Sequence, residues 1–189
     1  MKTITLFTFL TLFMCSTTEH KRPEVSKAKV SYSDFEALVK DVKTHRAKRL
    51  IDWNIFSEKS KQEHVIILDT RSKDMYDKKH IKGALHLNFS DFTQANLAKI
   101  IPNKETTILI YCNNNFDGDE VHFASKSLIL PSIDETKEEE ITLALNIPTY
   151  INLYGYGYKN VYELSELISI FDQSVAYEGT AIQQFTSNN

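Results

Sequence analysis

The spacing of apolar residues predicts a helix early in the chain. Within residues 31–45, four apolar side chains recur at positions i, i+3, i+4 and i+7, the spacing of one helical face: Phe35, Leu38, Val39 and Val42. Ser33 and Glu36 fit a capping box at the start of this helix. Residues 46–62 are ambiguous, and we expect their apolar side chains to cover the core: Ile51, Trp53, Ile55 and Phe56.

Short apolar runs further along predict strands that alternate with helices. HVIILDT at 64–70 and the run Thr107–Tyr111 are typical of strands buried on both faces, and weaker strands are predicted around Leu85–Leu87 and Asn160–Leu164. Helical segments are predicted between them, at residues 72–79, 90–101 and about 148–154. This alternation predicts an α/β fold in which helices cover both faces of a parallel sheet.

The segment between the second buried strand and the last helix interrupts this alternation. Residues 113–147 contain apolar runs broken by Pro131 and by the acidic cluster DETKEEE, which we interpret as a solvated surface segment. We therefore expect an excursion here, partly flexible. The last helix has Asn146 as a candidate cap, and Gly155 or Gly157 marks its end.

Length and charge narrow the class of protein. The chain has 189 residues, enough for one domain with its own core, and its 42% hydrophobic and 25% charged residues are ordinary globular values. The formal net charge of -3 gives no basic excess, so no nucleic-acid partner is expected. His80 and His86 lack a pattern of partner ligands, and no metal site is expected either.

The N-terminal residues resemble an export segment. Lys2 precedes an uncharged, mostly apolar run from Ile4 to Met14, which is too short for a spanning helix of roughly 20 residues. Leu12 to Cys15 resemble a lipobox, so a lipoprotein signal and plain secretion are equal alternatives, ahead of a buried N-terminal helix. We expect an exported protein, periplasmic, anchored to a membrane through lipidated Cys15, or secreted. The predicted organisation is a signal at 1–15, a linker at 16–29, one domain at 30–172 and a tail at 173–189.

Cys112 is the candidate chemical group. Because Cys15 is removed or acylated, the mature chain keeps one thiol, which cannot form an internal disulfide. Cys112 directly follows the strand at 107–111, and ligands of parallel α/β sheets bind outside the carboxyl ends of the strands. The cysteine is therefore either a small buried hydrophobic residue or a reactive group.

Four segments together resemble the rhodanese superfamily over roughly residues 30–172. In chain order they are LDTRSKDMYDKKHIKGALHLN, ILIYC, GYGYKNVYEL and the helix-like ELISIF. The resemblance implies a five-stranded parallel sheet flanked by helices, here with an insertion after the cysteine strand. It also implies a loop whose backbone amides converge on the sulfur of Cys112, the nucleophile that carries sulfane sulfur as a persulfide.

The resemblance also implies roles for residues around the cysteine. Asp69 and Arg71 match a motif after the first central strand and are expected to fix loops near the site. His80, Gly83, Ala84 and Asn88 match the motif that shapes the adjoining loop. No metal, nucleotide or flavin cofactor is implied. The expected partners are a small-molecule or protein sulfur donor and a thiol acceptor.

The loop CNNNFDGDE departs from the family pattern. Asp117 stands where a basic residue is usual, no cation occurs before Lys126, and the next helix is delayed by about 35 residues, which weakens its dipole contribution. If they face the thiol, Asp117, Asp119 and Glu120 raise its pKa and repel an anionic donor. Asn113, Asn114 and Asn115 tolerate left-handed backbone angles and offer amide donors that could still form a cradle.

Two functional hypotheses follow. In the leading one, the protein is a sulfurtransferase or persulfide carrier in which residues 113–117, namely Asn113, Asn114, Asn115, Phe116 and Asp117, form the anion-facing loop. In the alternative, a non-catalytic rhodanese fold serves as a binding or sensory module. The phosphatase chemistry of a related fold is excluded, because it needs an arginine six residues after the cysteine and this chain has Gly118 there.

Overall fold

The computed structural model describes residues 26–130 and 139–182. The chain divides into an N-terminal unit, Met1–Ser31, and a larger compact unit, Tyr32–Asn189. Residues 26–31, the described part of the first unit, form no helix or strand. The predicted export or lipoprotein signal at 1–15 lies outside the described residues. Among those described, no helix is long and apolar enough to cross a membrane.

The described residues of the larger unit form the following helices and strands. The helices are α1 (Tyr32–Ala47), α2 (Trp53–Ser60), α3 (Lys73–Lys78), α4 (Gln94–Ile100) and α5 (Asn146–Gly155). The strands are β1 (Leu50–Ile51), β2 (Val65–Asp69), β3 (His80–Ile81), β4 (Leu85–His86), β5 (Thr107–Tyr111), β6 (Phe116–Asp117), β7 (Ser127–Leu130), β8 (Glu139–Thr142), β9 (Val161–Leu164), β10 (Ile168–Ser169) and β11 (Tyr177–Glu178). Two short 3-10 helices cover Phe89–Asp91 and Asn113–Asn115.

The central sheet has five strands in the order β1-β9-β5-β2-β4, and every neighbouring pair is parallel. The predicted α/β fold with a five-stranded parallel sheet flanked by helices is therefore confirmed. The buried runs of the sequence form β2 and β5, which are neighbours in the middle of the sheet. Asp69 and Tyr111, the last residues of these two strands, are paired in register, so the loops that follow begin side by side.

Helices pack on both faces of the sheet because successive side chains of each strand point to opposite sides. Ile67, Leu109 and Tyr111 contribute to a cluster with α2, whereas neighbouring strand residues contribute to a second cluster with α1, α4 and α5. The predicted cover segment thus contains α2, in which Trp53 and Phe56 are buried. Ile55 on the same helix is 45% exposed.

Two predicted helix starts are wrong. Helix α1 begins at Tyr32, so Ser33 lies inside the first turn and not in front of it. Helix α5 begins at Asn146 itself, with Leu145 in the capping position, so Asn146 is a helical residue and not the cap. The apolar face of α1 is also only partly covered, because Val42 is buried whereas Phe35 is 46% exposed.

The predicted excursion contains ordered structure. Strand β6 pairs in parallel with β10, and β7 pairs with β8 in an antiparallel hairpin at the start and end of the insertion. The expected helix over ELISIF is wrong, since Ile168–Ser169 form β10. The buried side chain of Ile168 packs in the same cluster as Phe116, its partner in register, which favours a strand there.

The domain extends beyond residue 172, where the sequence placed the start of a tail. Strand β11 pairs antiparallel with β3, and Val175 is buried in the core. Ser174 Oγ accepts a hydrogen bond from Trp53 Nε1 at 2.8 Å. These contacts join the two ends of the domain, which sequence periodicity does not reveal because they pair segments far apart in the chain.

We expect Phe56→Ala to lower the free energy of unfolding by about 3–5 kcal/mol, because it leaves a cavity under the sheet. Ile55→Ala is the matched control on the neighbouring, exposed position, with an expected change within about 0.5 kcal/mol. Urea unfolding of both variants measures the difference. Equal effects would contradict the packing of α2 described above.

Candidate active site

A pocket of about 410 Å³ lies at the carboxyl edge of the sheet, beyond the ends of β2 and β5. Its wall includes Cys112, which directly follows β5, and Arg71, which lies two residues beyond β2. The register of the two strands explains the meeting of these loops. Asn113 and Asn114 from the cysteine loop also line the pocket.

The sulfur of Cys112 faces backbone amides from two separate segments. The amides of Asn114, Asn146 and Leu145 hydrogen-bond to the thiol, and their donation favours the thiolate. The cysteine is nevertheless only 1% exposed, and burial is the largest influence on its acidity. Burial, together with the charge of Glu163, raises the pKa of Cys112. The amides lower this pKa, but their effect is smaller, so the pKa stays above its ordinary value.

Helix α5 reaches the sulfur in spite of the insertion. The sequence separates Cys112 from the helix by the whole excursion, but Leu145 at the cap and Asn146 in the first turn lie at the thiol. The delay of the helix in the sequence therefore does not remove its start from the thiol, because β7 and β8 pair antiparallel and bring the chain back toward Cys112. Amides at a helix start also carry the positive end of the helix dipole.

Asn115 holds the cysteine loop and α5 together. Its Oδ1 accepts hydrogen bonds from Cys112 N at 2.9 Å and from Asn146 Nδ2 at 3.1 Å. Its Nδ2 donates to the carbonyl oxygens of Leu164 at 2.9 Å and Glu166 at 3.2 Å. One buried amide thus joins the cysteine, the start of α5 and the end of β9.

Asp69 and Arg71 form a buried ion pair behind the pocket. Arg71 Nη2 lies 2.7 Å from Asp69 Oδ2, and Arg71 Nε lies 3.1 Å from each carboxylate oxygen. Tyr111 also donates its hydroxyl to Asp69 at 2.5 Å. Burial and the charge of Asp69 raise the pKa of Tyr111 well above its ordinary value, so this hydroxyl remains a donor. The hydrogen bond from Tyr111 to Asp69 thus links the end of β5 to the end of β2.

The acidic residues of the loop have partners of their own. Asp119 contacts Lys79 Nζ at 2.8 Å and His122 Nδ1 at 2.9 Å, and Glu120 accepts a hydrogen bond from Ser125 N at 3.0 Å. Partial burial favours a higher pKa for Asp119, but hydrogen bonds from Lys79 and His122 outweigh it and lower the pKa. The carboxylate that raises the pKa of Cys112 is Glu163 on β9, which sequence reasoning did not consider.

The family model for the rhodanese-like domain matches residues 52–166. The chain belongs to the rhodanese-like domain family. Its matched region contains β2, the Asp69–Arg71 pair, Cys112 and the start of α5. No curated protein sequence matches the chain.

The chain is similar to solved structures of proteins from several organisms. The BH2092 protein from Bacillus halodurans is 18% identical, with 78% of this chain and 88% of that chain covered and a TM-score of 0.45. The Alr3790 protein from Anabaena sp. is 18% identical, with 74% and 100% covered and a TM-score of 0.43. A structure described as rhodanese with anions from E. coli is 16% identical, with 61% and 99% covered and a TM-score of 0.37.

Fewer residues of the predicted anion-facing loop, 113–117, line the pocket of this rhodanese-like domain than the sequence predicted. Asn113 and Asn114 line the pocket, whereas Asn115 serves the hydrogen-bond network described above. Phe116 is buried among aromatic side chains, and Asp117 is exposed on β6. The alternation of the β6 strand explains the last two positions, since one side chain enters the core and the next points outward.

Sequence reasoning did not assign several of the groups that meet the thiol or line the pocket. Leu145 and Asn146 supply amides to the thiol, and Lys126 lines the pocket. The available signals were weak: Lys126 is the first cation after the cysteine, and Asn146 begins the next helical segment. Neither observation indicates that the residue returns to Cys112.

The motif histidines and the motif glycine support the loop after β3. The His80 Nδ1 atom lies 2.6 Å from the carbonyl oxygen of Tyr76, and His86 Nε2 lies 2.9 Å from that of Arg71. Gly83 has a positive φ of 83°, which favours glycine. Over residues 26–130 and 139–182, no group of three or more His, Cys, Asp or Glu side chains could hold a metal ion.

We expect Asp69→Asn to destabilise the fold by about 3–5 kcal/mol, because Arg71 then keeps a buried charge without its carboxylate. Asp117→Asn is the matched control, since this aspartate is exposed, and we expect a change within about 0.5 kcal/mol. Urea unfolding of the two variants checks the prediction. A mild effect of Asp69→Asn would show that the pair is dispensable.

We expect alkylation of Cys112 by iodoacetamide to rise about tenfold for each pH unit from pH 7 to 8. A raised pKa leaves the thiolate scarce at neutral pH, so its fraction grows with pH until the pH passes the pKa. The rate should continue to rise beyond about 8.5, where a free cysteine begins to level off. Mass spectrometry of the Cys112 peptide measures the rate, and a plateau below pH 8 would contradict the burial argument.

Proposed function

We propose that this rhodanese-like domain transfers sulfane sulfur through a persulfide on Cys112. The observation that carries the proposal is the convergence of three backbone amides, from Asn114, Leu145 and Asn146, on a sulfur atom that lines a pocket. Fixed amide dipoles stabilise a developing anion without moving. A thiol that served only as core packing would have no need of donors from two distant segments.

The transfer has two balanced steps. In the first, the Cys112 thiolate attacks the outer sulfur of the donor, the bond between that sulfur and the rest of the donor breaks, and its electron pair leaves with the donor remnant. In the second, an acceptor thiolate attacks the outer sulfur of the cysteine persulfide, and Cys112 leaves as the thiolate. No external oxidant or reductant is needed, and the persulfide is the only carrier.

Burial of the thiol is compatible with this cycle because the resting thiol releases its proton to water before the thiolate attacks the donor, and the amides then stabilise the charge on the sulfur. The raised pKa of Cys112 keeps the resting group protonated and unreactive toward solvent. Once sulfur is loaded, the outer atom extends away from the buried Sγ into the pocket. An acceptor, whether a small thiol or a protein thiol, then meets an atom that is more accessible than the cysteine itself.

The cellular setting is proposed from the sequence alone. We propose that the protein is exported and acts in the periplasm, at a membrane through lipidated Cys15, or outside the cell. Its partners in this setting are sulfur donors and thiols, with no nucleic acid.

A non-catalytic binding module is the competing hypothesis, and the 1% exposure of Cys112 is the observation in its favour. Cyanolysis discriminates the two. We expect the full chain, preincubated with a sulfane-sulfur donor, to release thiocyanate when cyanide is added. The rate of release should fall at least about 100-fold in Cys112→Ser, because the nucleophile is gone. Cys15→Ser is the matched control and should keep the activity, since Cys15 is the other cysteine of the chain.

Intact mass after donor treatment gives a second readout. A gain of about 32 Da that Cys15→Ser retains and Cys112→Ser loses supports the carrier. No thiocyanate and no mass gain with thiosulfate, an organic thiosulfonate and a low-molecular-weight persulfide would overturn the proposed function in favour of the module.

A further inference from the structure

Arg71 lines the pocket, but its guanidinium has no hydrogen left for a ligand. Its Nε and Nη2 donate to Asp69, and Nη2 also donates to the carbonyl oxygen of Lys79 at 2.7 Å. Its Nη1 donates to the carbonyl oxygen of His122 at 2.9 Å and to Asn113 Oδ1 at 3.5 Å. A guanidinium carries five N–H bonds, and all five have acceptors here. The motif arginine therefore does not bind a donor anion.

Lys126 is a second cation on the wall of the same pocket. Its side chain is exposed, and its hydrogen bonds with other described residues are made by its backbone. Within residues 26–130 and 139–182, no carboxylate forms an ion pair with its ammonium group. Among the described residues, no side chain therefore neutralises the charge of Lys126, which belongs to the pocket wall.

The cysteine loop fixes the position of this lysine. Asn114, two residues after Cys112, accepts a hydrogen bond from Lys126 N at 3.1 Å and donates one to Lys126 O at 3.0 Å. Leu143, on the returning side of the hairpin, donates to the same carbonyl oxygen at 2.9 Å. Because Asn114 also lines the pocket, this two-point clamp couples the base of the insertion directly to the site of the thiol.

The remaining walls indicate what kind of anion fits. Apolar side chains surround much of the pocket: Met75, Phe89, Val121, Ala124 and Leu145. A small inorganic dianion such as thiosulfate would leave these surfaces without contact and would lose hydration among them. An organic body fills them and gains by burial.

We infer that Lys126 binds the anionic group of an organic sulfane-sulfur donor, so that the insertion supplies the cation that the loop CNNNFDGDE lacks. The inference rests on the proposed function. With an organic thiosulfonate, the Cys112 thiolate bonds to the outer sulfur, the bond between the two donor sulfurs breaks, and the electron pair leaves with a sulfinate. Atoms and charge balance, because two anions enter the reaction and two, the persulfide and the sulfinate, remain.

A charge-selective alkylation tests the role of Lys126 without any turnover. The full chain reacts separately with anionic iodoacetate and neutral iodoacetamide. Mass spectrometry of the Cys112 peptide gives the rate with iodoacetate divided by the rate with iodoacetamide. We expect Lys126→Gln to lower this ratio about threefold to tenfold and Lys126→Glu to lower it further, because the pocket loses attraction for an anion. Lys126→Arg should keep it, and Lys99→Gln, an exposed lysine away from the pocket, is the matched control.

Steady-state kinetics then tests the donor class. We expect benzenethiosulfonate to give a higher kcat/KM than thiosulfate, and Lys126→Gln to raise its KM about threefold to tenfold with little change in kcat. An unchanged alkylation ratio in Lys126→Glu, or an equal loss in Lys99→Gln, overturns the role of Lys126. A preference for thiosulfate overturns the organic donor. A changed ratio in a protein without transfer activity overturns the proposed function and leaves the anion site supported.

Discussion

The site depends on one buried amide. The side chain of Asn115 accepts hydrogen bonds from the backbone of Cys112 and from the side chain of Asn146. It donates hydrogen bonds to two carbonyl oxygens, one at the end of β9 and one just beyond it. Both the oxygen and the nitrogen of this amide are therefore used in hydrogen bonds. A buried network of this kind favours a single arrangement of the joined segments, because each broken bond leaves a polar group without a partner. The network therefore holds the start of α5 beside Cys112.

The charges of the region are distributed so that the thiol experiences few of them directly. Lys79 neutralises Asp119, which also contacts His122, and Asp69 neutralises Arg71 inside the domain. What remains at the thiol is burial, the carboxylate of Glu163 and a set of amides. An anion at this sulfur would therefore be stabilised by amide dipoles, which act at short range.

The structure also explains how an acidic loop can follow Cys112. The strand β6 turns successive residues after Asn115 alternately inward and outward, so that Phe116 joins the core and Asp117 faces solvent. Neither side chain lines the pocket with Cys112. The acids are close to the cysteine in sequence, but the two-stranded pairing of β6 with β10 carries them away from it.

The sequence by itself determined the class of fold, because β2 and β5 are continuous apolar runs whose burial on both faces requires a parallel sheet with helices on each side. It also placed Cys112, Asp69 and Arg71 at the carboxyl edge, since Asp69 ends one central strand, Arg71 lies two residues beyond it and Cys112 directly follows the other. Only the tertiary structure decided which groups meet the sulfur. Leu145 and Lys126 line the pocket, and Asn146 and Glu163 act on the thiol, through long-range contacts made by the pairing of β7 with β8, by Asn115 and by the sheet. No local spacing encodes such contacts, because they depend on where a distant segment returns.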